Sequence, residues 1–139
     1  MAVGVALGAL REFLLINLNY QIDHLRHGRA VSYAHSAFQA WTKGLDLRGL
    51  VVLKWGISAL LVGAMLLLAV LLARTLWGDH RYRTRIIFGF VLAAALALAA
   101  YGLAAWWPPA GIAGVKVLHA LQYPVVLFLL WAASGIRRA

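Results

Sequence analysis

The chain has 139 residues, 64% of them apolar, and no cysteine. So much apolar surface exceeds what one soluble domain of this size can bury, and the missing thiol excludes disulfides, cysteine-ligated iron–sulfur clusters and thiol catalysis. Thirteen Lys and Arg against four Asp and Glu give a net charge of +9, but many of the cations flank apolar runs, as at Arg81, Arg83, Arg85, Arg137 and Arg138, where anionic lipid headgroups rather than nucleic acid would meet them.

Residues 1–20 (MAVGVALGALREFLLINLNY) are apolar enough to enter a membrane as a helix, with Arg11 and Glu12 as an embedded ion pair. The alternative is an interfacial helix that keeps Arg11, Glu12, Asn19 and Asp23 wet. The apolar stretch starts without a basic region before it, so a cleaved leader is not expected. Residues 21–50 are the most polar part of the chain. Within them Ser32 is placed to cap a helix and Gly44 to stop it. Val31, Ala34, Phe38, Trp41 and Leu45 recur at three and four residues, which predicts a short amphipathic helix with Arg29, Gln39 and Lys43 elsewhere on the wheel.

Three uncharged runs follow, at residues 55–73, 86–115 and 117–136. They predict membrane spans over residues 51–76, 86–106 and 115–136, each long enough to cross a hydrocarbon layer of about 30 Å. Lys54 and Arg74 would snorkel from the two ends of the first. Gly78-Asp79-His80 makes the turn to the second. Trp106-Trp107 suits an interfacial aromatic belt, and Pro108-Pro109 ends the helix. Gly111 and Gly114 are read as permitting a tight return, and Pro124 as kinking the last span near Gln122 and Tyr123. Ala59 with Gly63, and Gly89 with Ala93, are small pairs that would allow close helix approach. The expected fold is an all-α, polytopic membrane helical bundle, one membrane domain over residues 1–139. It has three spans, a fourth candidate at residues 1–20, and a short amphipathic helix in the outer segment 21–50.

The loop at 78–85 holds three arginines and the C-terminus two more, whereas residues 107–115 hold no charge. Positive-inside bias therefore places the C-terminus in the cytoplasm and residues 21–50 outside. A bacterial inner membrane is the expected location.

The histidines are the one constellation with metal-site chemistry. His27 or His35 could meet His119 on the outer side, where two imidazoles could ligate haem iron axially and three could hold a transition metal. Asp23 could orient a neighbouring imidazole. No HExxH or CxxCH motif supports this, and the base expectation is that no cofactor is bound. Trp41, His119, Gln122 and Tyr123 are the candidate partner contacts, the last three because polar groups surround the proline kink.

NYQIDHL at 19–25, YAHSAF at 33–38, LKW at 53–55 and LQYP at 121–124 together resemble the small integral membrane proteins encoded beside exosortases in Bacteroidetes-type bacteria. The resemblance implies an accessory role beside a surface-protein sorting or export machine. It does not imply the cysteine transpeptidation of the exosortase itself, since this chain has no cysteine. The function expected is thus a non-catalytic accessory or assembly subunit of a membrane protein complex, with the lipid bilayer and another integral membrane protein as partners. The alternative is a haem- or metal-binding electron-transfer subunit using His27 or His35 with His119.

Overall fold

The computed structural model describes residues 2–28, 31–78 and 80–136. Among them every regular element is helical: α1 (Ala2–His27), α2 (Ser36–Trp41), α3 (Leu47–Trp77), α4 (His80–Gly102), α5 (Pro108–Gln122) and α6 (Val125–Ile136), with a 3-10 turn at Leu103–Ala105. The all-α expectation holds. Ala2–His27, Leu47–Trp77 and Tyr82–Ala105 are long and apolar enough to cross a membrane. This is the architecture of a helical integral membrane protein.

The third expected span, residues 115–136, is not one straight helix. It straddles a pair of helices, Pro108–Gln122 and Val125–Ser134, bent by 60° at the intervening break. Pro124 has no N–H to continue the ladder. The upstream carbonyl of Ala120 instead accepts from Tyr123 N–H at 3.3 Å, and the Pro124 carbonyl accepts from Phe128 N–H to start the next turn. The other boundary shift is at Pro108-Pro109. Trp107 is extended and Pro108 occupies the first turn of α5, where a missing N–H costs nothing. The prolines therefore open a helix as well as closing the one before.

The chain divides into two compact units, Leu7–Leu61 and a second made of Met1–Ala6 with Val62–Ala139. In the Leu7–Leu61 unit, α1 carries a buried stripe at Arg11, Leu15, Leu18 and Ile22, the three-and-four spacing of one helix face. Leu18, Phe38 and Leu50 anchor its core, with Ala34 and Leu61 beside them. Gly28, at φ +57°, ends α1, a backbone state that glycine adopts without penalty. Asp46 caps α3, its carboxylate accepting from Gly49 N–H at 2.8 Å. The amphipathic helix expected from Ser32 to Gly44 shortens to Ser36–Trp41, capped by His35 rather than Ser32. Its apolar stripe is split: Ala34 and Phe38 are buried, whereas Val31, Trp41 and Leu45 face out.

In the second unit α4 and α5 form a closely packed hairpin. A Cβ on Gly114 would stand 2.5 Å from the Ala97 carbonyl oxygen and 3.0 Å from Tyr101 N, and one on Gly111 would stand 2.6 Å from Ala104 Cβ. These glycines lie inside a helix and let two backbones meet, the arrangement small residues permit in lipid. The small pairs expected to do this do not: a Cβ on Gly63 or Gly89 would meet nothing within 4 Å. Gly78, at φ +65°, closes α3 with its N–H donating to the Arg74 carbonyl at 3.0 Å. Trp77 and Tyr82 stack across that junction at 4.8 Å between centroids.

Candidate functional site

The richest polar constellation lies in the Leu7–Leu61 unit, where residues 31–46 are tied to α1. Asn17 is buried on α1 among apolar neighbours. Its Nδ2 donates to the Phe13 carbonyl at 2.7 Å, and its Oδ1 accepts from His35 N–H at 2.6 Å. One turn on, Gln21 Oε1 accepts from the Ser32 hydroxyl at 2.6 Å. Gln39, expected on the solvent side of the wheel, turns back, and its Nε2 donates to the carbonyls of Ala34 at 2.6 Å and Ser32 at 3.2 Å. A non-helical stretch is thereby pinned by side chains that supply the partners its backbone would otherwise lack. Arg11 is 4% exposed and pairs at 2.8 Å with Glu12, whose side chain is 41% exposed, so the expected pair forms with only its guanidinium buried. Burial of this kind is tolerated only for a paired charge.

This framework holds several aromatic groups outward. Tyr33 is 72% exposed and meets Tyr20 edge-on at 6.2 Å. Trp41 is 59% exposed and lies edge-on to the buried Phe38 at 5.4 Å. Beside them is an open cleft of about 390 Å³, walled by Gln21 and His24 of α1 and by Gln39, Thr42 and Lys43. The Nδ1 of His24 is shielded there without a hydrogen-bond partner.

The candidate histidines are used differently from one another. His27 Nδ1 lies 2.8 Å from the Asp23 carboxylate, one turn back on α1, so Asp23 does orient an imidazole. His35 Nδ1 accepts from Ala37 N–H at 3.3 Å as the cap of α2, and its ring packs against Phe13. His119 belongs to the other unit, exposed in the last turn of α5. Among the described residues no three His, Asp or Glu side chains gather into a metal-binding group.

Around the α5–α6 break the remaining candidates divide. His119 is exposed and Tyr123 half-buried. Gln122 is 1% exposed. The sequence signal at Gln122, a polar residue two before a proline, therefore falls on a buried side chain. Sequence reasoning assigned no such contact to Asn17 or Gln21, and read Ser32 as a helix cap and Gln39 as lying off the apolar stripe. A hint was present, since an asparagine amid Phe13, Leu14, Leu15 and Leu18 demands a partner in an apolar setting.

Comparison with known protein families, curated proteins and solved structures found no match for this chain.

Proposed function

We propose that this chain is a non-catalytic accessory or assembly subunit of a membrane protein complex, linked to protein sorting or export. One observation carries the reading: a segment outside regular spans is held in a defined shape by partly buried polar contacts while presenting Tyr33 and Trp41 outward. Rigid aromatic side chains on a preformed frame are the residues that dominate protein interfaces, because little entropy is lost when they dock. The resemblance to exosortase-associated membrane proteins supports a sorting or export machine as the setting. The arginine-rich loop supports a bacterial inner-membrane location with the C-terminus in the cytoplasm. Trp41, His119 and Tyr123 are the contacts assigned to the partner, itself an integral membrane protein.

The test is site-specific photocrosslinking in native membranes, with the crosslinker placed in turn at Tyr33, Trp41, His119 and Tyr123. The expected result is a discrete adduct with one integral membrane protein from at least Trp41, which co-purifies in mild detergent. Adducts with lipid alone would overturn the proposal. So would a Soret band in the gently purified protein that disappears in His119→Ala, which would establish the electron-transfer alternative instead.

A further inference from the structure

A second cavity, of about 530 Å³, lies within the Val62–Ala139 part of the chain between α3 and α4. Its α3 wall is Gly63, Leu67, Leu71 and Arg74, with Leu66 and Val70 alongside. That is a single helical stripe at three-and-four spacing. Ile87 and Arg83 of α4 form the other side. The floor at Gly63 is open, since a Cβ there would meet nothing within 4 Å. Leu67 and Leu71 are exposed, so this chain leaves the groove uncovered.

The dimensions and charge of the groove select an occupant. From Gly63 to Arg74 the helix rises about 16 Å at 1.5 Å per residue, roughly half of a hydrocarbon layer of about 30 Å. The groove is therefore apolar over about the depth of one leaflet and carries two guanidinium groups at one end. That end is the α3–α4 junction, across which Trp77 and Tyr82 stack. Guanidinium forks match phosphate oxygens in geometry as well as charge. We propose that this groove is a discrete site for one anionic phospholipid, its phosphate held by Arg74 and Arg83 and one acyl chain lying along α3 to Gly63. This differs from the general attraction of basic loops to a negative surface, which needs no groove and selects no stoichiometry.

The test is native mass spectrometry of the full chain, released from vesicles of phosphatidylglycerol and phosphatidylcholine in equal parts. One tightly retained phosphatidylglycerol is expected on the wild-type protein. Its retention should fall at least tenfold in the Arg74→Gln/Arg83→Gln double variant. It should fall comparably in Gly63→Leu, which fills the groove and keeps both arginines; should that variant not fold, Leu67→Phe narrows the same wall. Arg48→Gln, a charge removed elsewhere, should leave retention unchanged, and glycerophosphoglycerol without acyl chains should not compete. Equal retention of the two lipids would overturn the proposal. So would loss on removing the arginines with none on filling the groove, the outcome expected of surface electrostatics alone.

Discussion

Asn17 shows how one polar side chain shapes this protein. It satisfies its own helix at the Phe13 carbonyl and still offers an acceptor to the His35 N–H, fixing where the segment after α1 turns back. Asn17→Ala should lower stability by about 1 kcal/mol, because a partly buried N–H loses its acceptor. Thermal unfolding in detergent would measure this, and an unchanged midpoint would show that water replaces the amide at no cost. The presence of Arg11 and Glu12 as a pair was legible from their adjacency in an apolar run. The partners of Asn17 and Gln39 were not, because each bonds to a backbone group that only the folded turn brings within reach. Ser32 was read as a helix cap on residue type alone. It instead donates to Gln21 and accepts from Ala34 N–H, a choice its sequence neighbourhood does not encode.

Among the elements, the helices at residues 51–76 and 86–106 were legible to within a few residues, since uncharged runs of that length have no other stable form in lipid. The last segment was less so. A proline in an apolar helix allows anything from a mild kink to a break, and the 60° bend at Tyr123-Pro124 depends on what packs around Gln122. The close contact of α4 with α5 gives a paired prediction. Gly114→Ala should destabilise by about 1–3 kcal/mol, because the neighbouring atoms are backbone and cannot yield. Gly89→Ala, with open space around it, should be neutral or slightly stabilising through better helix propensity. Unfolding midpoints of the two variants would check this, and equal effects would mean that α4 and α5 do not approach so closely. Sequence pattern pointed to the wrong small residues because a stretch rich in alanine and glycine offers many such pairs, and only packing selects one.

At the scale of the whole chain, sidedness is set by the order of crossings rather than by packing. If α3, α4 and the bent α5–α6 pair each cross once, residue 35 and residue 107 share a side, opposite to residue 84 and the C-terminus. Cysteines replacing His35 and Trp107 should then react with a membrane-impermeant reagent in intact cells. One replacing Thr84, or one appended after residue 139, should react only after permeabilisation. Labelling of positions 35 and 107 from opposite faces would refute the crossing pattern and, with it, any pairing of His27 or His35 with His119. Composition and hydropathy patterning by themselves determined that this chain is helical and carries membrane-crossing segments, because an uncharged stretch in lipid must satisfy its backbone internally and the helix does so within one segment. Only the tertiary structure decided which glycines touch another helix, where the last segment breaks, and which polar side chains bind residues 31–46 to α1. Those outcomes depend on atoms distant along the chain meeting within a few ångströms, and no local periodicity specifies that.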